Sequence, residues 1–140
     1  MGVDVCALLG EKCMAGIRLF EERLQLETPH TFNSLTKLVM AMAAVTANAG
    51  KRSLFGRDKG AEAYSNFLQA LKLTLHSMVL DGVVRESTPS ADVADQLVAK
   101  LDMFAKAFPN WPDAYGFATI FLGEKKADAV ATIERLRSLP

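Results

Sequence analysis

The chain has 140 residues, half of them apolar, with 16 basic and 16 acidic side chains and no net charge. That length suits one domain able to bury about two-thirds of its extended surface without a metal or disulfide. The balanced charge excludes a disordered polyelectrolyte and any global field toward nucleic acid or anionic membrane.

The longest unbroken apolar run, Leu38 to Val45, has eight residues, far short of the roughly 20 that a membrane-spanning helix needs. The opening MGVDVCALLGEK lacks the basic lead and small-residue cleavage pattern of a secretory signal, and a myristoylation pattern would want Ser or Thr where Cys6 stands. A soluble, cytoplasmic chain is the expectation. The two cysteines, Cys6 and Cys13, fall on one expected helix with their α-carbons about 10 Å apart along the axis, beyond disulfide reach. They read as free thiols on a core face.

From Val3 to Leu26, the residues Cys6, Leu9, Cys13, Ile17, Phe20 and Leu24 keep the helical step. Arg18 with Glu22, and Arg23 with Glu27, are spaced for ordinary surface ion pairs. Pro29 biases Thr28 out of helical geometry and should end this first helix. Asn33 or Ser34 is then expected to cap a second helix running to about Ala49 and halting at Gly50. Its middle, LVMAMAAVTA, is apolar on every side and small, which places it in the interior. Met40 and Met42 could instead line an adaptable groove.

Lys51, Arg52, Arg57 and Lys59 crowd into nine residues against one acid, Asp58, with Leu54 and Phe55 between them. Gly50-Lys51 is not a phosphate-binding loop, because Val45 holds the first glycine position and Arg52 follows the lysine. The segment reads as a solvated connector or as a contact surface for an acidic partner. Next comes a long helix capped by Asp58 and closed by Asp81-Gly82. Tyr64, Phe67, Leu68, Leu71, Leu75 and Met78 face the core, while Glu62, Ser65, Gln69, Lys72 and His76 form the wet stripe.

VVRESTPS should be extended; a weak hairpin signal from Val79 to Val84 yields to the helical period that reaches Met78. A fourth helix, capped by Thr88 or Ser90, buries Ala94, Leu97, Leu101, Phe104 and Phe108 and ends at Pro109. The remainder reads as a short helical hairpin. Asn110 caps its first helix, Pro112 sits in the first turn, Tyr115, Phe117, Ala118, Phe121 and Leu122 follow, and Gly123 closes it. In the final helix Ala127 or Ala129, Val130, Ile133 and Leu136 point inward, with Glu134, Arg135 and Arg137 outward. The hairpin does not fit the tetratricopeptide pattern: Asp128, Thr132 and Arg135 stand where apolar or small residues belong, and no second copy recurs. No family is assigned. Trp111, the single tryptophan, sits between two prolines and reads as a hydrophobic clamp or a protein-binding hot spot.

His30 and His76 are the only histidines, no metal-ligand spacing occurs, and no nucleophile elbow, dinucleotide fingerprint or Cys signature is present. No catalytic set, metal or cofactor is therefore expected. Together these features predict an all-α, single-domain bundle of five or six helices over residues 1–140, ending in a short helical hairpin, with the second and third helices innermost. The expected function is a non-catalytic protein-interaction or regulatory domain, adaptor- or chaperone-like. Its contacts would be Lys51, Arg52, Leu54, Phe55, Arg57, Lys59 and Trp111, and its partner another protein of acidic character. One alternative is a small-molecule or enzymatic pocket among Met40, Met42, Phe67 and Tyr115, with His76 or Cys13 as polar members. A second is nucleic-acid binding through residues 51–59, the weaker reading because a single basic cluster gives a small electrostatic footprint. Oligomeric state is left open.

Overall fold

A computed structural model of the chain describes residues 26–51, 56 and 58–139. Among these there are five α-helices and no strand: α1 (Pro29–Asn48), α2 (Lys59–Leu80), α3 (Ser90–Ala107), α4 (Pro112–Thr119) and α5 (Lys126–Arg137), with a π-helical turn, Ile120–Glu124, running on from α4. The all-α fold is as expected. The expected first helix lies outside the described residues except for its last residue, Leu26, which is helical with Glu27 before the helix is interrupted at Thr28.

α1 and α2 pack antiparallel. The start of α1 meets the end of α2 where the Ser34 and Ser77 hydroxyls lie 2.5 Å apart. The opposite ends meet where the Lys51 carbonyl accepts from the Lys59 N–H at 2.9 Å. Leu35, Leu38, Val39 and Met42 from α1 and Phe67, Leu71, Leu75 and Met78 from α2 are almost wholly buried; each such side chain stabilises the fold by about 1.5 to 3 kcal/mol relative to exposure. The apolar middle of α1 is nonetheless two-sided, contrary to the expectation of burial all round. Met42 is 1% exposed and Met40 54%, because α2 and α4 cover one flank of the helix and nothing among the described residues covers the other. On α2, Tyr64 belongs to the margin of the core, and Ala63, Thr74 and Ser77 complete the buried face. Both hydroxyls bond back to carbonyls one turn earlier, Thr74 to Ala70 and Ser77 to Leu73, so their burial leaves no unmet donor.

Helix ends account for most of the differences from the sequence reading. Asp58 caps α2 as expected, accepting from Ala61 N–H at 3.1 Å. At the other end Gly82, at φ 73°, closes a Schellman motif. Its N–H reaches the Val79 carbonyl and that of Val83 reaches Met78, at 3.1 and 2.8 Å. α1, however, is capped by neither Asn33 nor Ser34. Pro29 starts it, Thr28 supplies no side-chain cap, and the first N–H groups are met by Asp81 from across the bundle: His30 N at 3.4 Å and Thr31 N at 2.6 Å. Ser34 is buried in the α2 contact and so is not available as a cap.

α3 likewise begins without a side-chain cap. Thr88 accepts from Arg85 N–H within its turn, and Ser90 accepts from Arg137. The expected apolar stripe is seen, with Phe108 half-buried at its end and Val93 and Ala107 added. In α4, Trp111 rather than Asn110 occupies the cap position, and Pro112 stands in the first turn as expected. Gly123 does not end the helix. It lies inside the π turn, closed by Lys125 N–H onto the Ile120 carbonyl at 2.8 Å, five residues back. α5 buries Ala129, Ile133 and Leu136 and leaves Ala127 exposed.

Candidate functional site

The end of the bundle where α1 stops and α2 begins gathers several residues that the sequence singled out. The Lys59 N–H donates to the Lys51 carbonyl, so the backbones of these two exposed lysines are side by side. The same end receives α4, since Thr46 of α1 donates to the Asp113 carbonyl at 3.4 Å, and α4 is led by Trp111, 37% exposed. Arg52, Leu54, Phe55 and Arg57 lie outside the described residues.

About two turns along α2 from Lys59 is an aromatic cluster centred on Phe67. Phe117 and Phe121 meet its ring edge-on at 5.0 and 5.3 Å and stack on each other at 5.8 Å, and Tyr64 lies at 5.6 Å. Phe67 is buried, Phe117 and Phe121 are half-buried, and Tyr64 and Ile120 are exposed. The cluster is therefore a core at its base and a surface at its top. Edge-on aromatic pairs add about 0.5 to 1.5 kcal/mol beyond burial, which holds the outer rings in fixed positions.

On the other side of α4 a groove of about 220 Å³ runs between α3 and the π turn, walled by Val98, Leu101, Ala105, Tyr115, Ala118 and Leu122. The Tyr115 hydroxyl donates to the Phe108 carbonyl at 2.6 Å, and burial raises its pKa from 10.0 to about 12. It is a positioned hydrogen-bond donor that ties the start of α4 to the end of α3.

A larger cleft, about 700 Å³, opens between the second half of α2, the 84–93 segment and the end of α5. Its wall includes Arg137, which the sequence placed on the outer face of the last helix. Arg137 is in fact half-buried and donates to the carbonyls of Thr88, Arg85 and Glu86 and to the Ser90 hydroxyl, at 2.7 to 3.3 Å. Nothing local in the sequence marks it, because all four acceptors are 47 to 52 residues earlier.

Among the described residues, Met40, Met42, Phe67 and Tyr115, expected to share a pocket, do not line either cavity together. Met42 and Phe67 are in the packed core, Met40 faces outward, Tyr115 belongs to the groove, and His76 lines the α2–α5 cleft; Cys13 lies outside the described residues. His76 is exposed, as its stripe predicted. Among the described residues no group of three or more His, Cys, Asp or Glu side chains is placed to hold a metal ion, and no helix is long and apolar enough to cross a membrane. Comparison with protein-family models, with curated proteins and with solved structures finds no match to this chain.

Proposed function

We propose that the chain is a non-catalytic protein-interaction domain whose contact surface is the bundle end carrying Lys51, Lys59, Trp111 and Tyr64. One observation supports this reading: Tyr64, exposed at the surface, belongs to an aromatic cluster whose base, Phe67, is buried in the core, on the half of α2 that begins at the exposed Lys59. Aromatic anchors at the centre with charges at the rim are the usual anatomy of a protein-binding patch. The fitting partner is a protein that brings an apolar side chain to the aromatic rings and acidic groups to the lysines. In that arrangement the lysines steer encounter and the rings hold the complex.

Capture from native lysate, followed by kinetics with whichever protein co-purifies, tests the surface. Trp111→Ala or Tyr64→Ala should raise dissociation about tenfold or more, as loss of a hot-spot residue does. The double change Lys51→Glu, Lys59→Glu should mainly slow association and weaken its salt dependence. Capture that survives all four changes would refute the assignment. The same preparation should be titrated with mixed DNA and RNA at low and physiological salt. Submicromolar, salt-sensitive affinity abolished by the charge reversals would transfer the surface to nucleic acid.

A further inference from the structure

The groove between α3 and the π turn, on the side of α4 away from the Phe67 cluster, has a wall whose chemistry selects a ligand. Val98, Leu101, Ala105, Ala118 and Leu122 make that wall mostly apolar, which rewards an apolar body withdrawn from water. An apolar cavity of about 150 Å³ takes benzene, so a groove of about 220 Å³ has room for such a ring with a short chain attached. The π turn contributes Leu122 and Gly123 to the wall, and π turns are rare and recur at functional sites.

The polar side chains of the groove offer acceptors and no free donor. Tyr115 spends its phenolic proton on the Phe108 carbonyl at 2.6 Å, and Thr119 spends its hydroxyl proton on the Tyr115 carbonyl at 2.9 Å. Among the described residues of the wall Asp102 alone is charged; it is exposed, and its carboxylate has no ion pair among the described residues. Lys106, one turn further along α3, neither lines the groove nor pairs with Asp102. A carboxylate or phosphate head group would meet no donor here and would face the Asp102 charge, whereas an ammonium would meet that carboxylate and the lone pairs of Thr119. We propose that this groove binds a small organic ammonium ion with an apolar body, the body between α3 and the π turn and the ammonium toward Asp102.

Phenethylammonium, phenethyl alcohol and hydrocinnamate are matched probes, sharing one body and differing in the head group. Backbone amide shifts on the full chain at neutral pH should show saturable phenethylammonium binding at Leu101, Ala105, Ala118 and Leu122, with a Kd of about 1 mM or tighter. The alcohol should bind about threefold more weakly and hydrocinnamate about tenfold, the differences expected of one exposed charge. Asp102→Asn, a change at the surface of α3, should bring the ammonium down to the affinity of the alcohol and leave the alcohol unchanged. Ala105→Leu, measured where circular dichroism shows it folded, should weaken all three probes about tenfold by filling the groove. Hydrocinnamate binding as tightly as the ammonium overturns the proposal. So do an ammonium preference that persists in Asp102→Asn, affinities indifferent to folded Ala105→Leu, shifts centred on Val79 and Leu136 in the α2–α5 cleft, or the absence of any saturable response.

Discussion

The α1–α2 pair and the α3–α5 portion are held together by different means. Between α1 and α2 the contact is apolar and continuous, and its few buried polar groups are short hydroxyls: Ser34 with Ser77, and Thr74 within α2. Thr31 Oγ1 is the buried side-chain oxygen without a hydrogen-bond partner among the described residues. In the α3–α5 portion long polar side chains bridge the gaps, with Arg137 reaching the 85–90 turn, Lys126 reaching Asp95 and Tyr115 reaching Phe108. The groove lies within this portion, and the cleft lies where it meets α2. Close packing excludes cavities, whereas tethering by long side chains leaves space between the elements it joins. Stability and binding volume are therefore concentrated in different parts of the chain.

Substitutions should separate the two modes. Leu38→Ala removes a fully buried α1 side chain and should cost about 3 kcal/mol or more in chemical denaturation, since a close-packed site collapses poorly around a cavity. A loss under about 1 kcal/mol would mean the α1–α2 contact is looser than its burial indicates. Arg137→Ala should cost about 2 kcal/mol, and Arg137→Lys should recover less than half of that, because an ammonium cannot hold four divergent acceptors. Full recovery by Lys would reduce the tether to a charge effect.

Asp81→Ala removes the cross-bundle cap of α1 and should cost about 1 kcal/mol. Tyr115→Phe should cost about the same through its lost hydrogen bond, and it carries a pH signature. The folded-state pKa of Tyr115, raised to about 12, means that the folded chain keeps its phenolic proton after the unfolded chain has lost it. Its contribution is present below pH 10 and declines as pH rises from about 10 toward 12. Thermal melts of the wild type should thus fall more steeply over that window than those of Tyr115→Phe, and parallel curves would contradict the burial of the phenol. Smallest of all, Lys126→Ala should change stability by less than about 0.5 kcal/mol, since both partners of the Asp95 pair are largely exposed.

The apolar stripes were legible because helical period alone determines them. Phe67, Leu71, Leu75 and Met78 on α2, and Leu97, Leu101 and Phe104 on α3, are buried as their spacing requires. Met40 and Met42 were not separable in the same way, because a segment apolar on every side has no polar stripe to orient it. Asp81 and Arg137 were missed for another reason: their partners are about 50 residues away, and an acid at a helix end or a base in a last turn has an ordinary local reading. The π turn replaced an expected stop at Gly123, since a glycine near a helix end more often marks termination than a widened turn. Of the candidate contact residues, the sequence named Lys51 and Lys59 as one basic cluster and Trp111 apart from it; that α4, led by Trp111, docks near the end of α1 through Thr46 and Asp113 is a tertiary contact with no local signal.

Asp58 and Asp81 both satisfy helix-start N–H groups, yet one acts over three residues and the other over fifty. The difference has a kinetic consequence. A local cap can assist α2 as soon as the segment begins to coil into a helix, so part of its effect should appear in the folding rate. Asp81 cannot touch Thr31 until α1 and α2 have already come side by side, and its removal should appear almost wholly as faster unfolding. A chevron comparison of Asp58→Ala with Asp81→Ala would place the docking of the two helices before or after the rate-limiting step: equal retardation of refolding would mean that the hairpin is already assembled at the summit of the barrier.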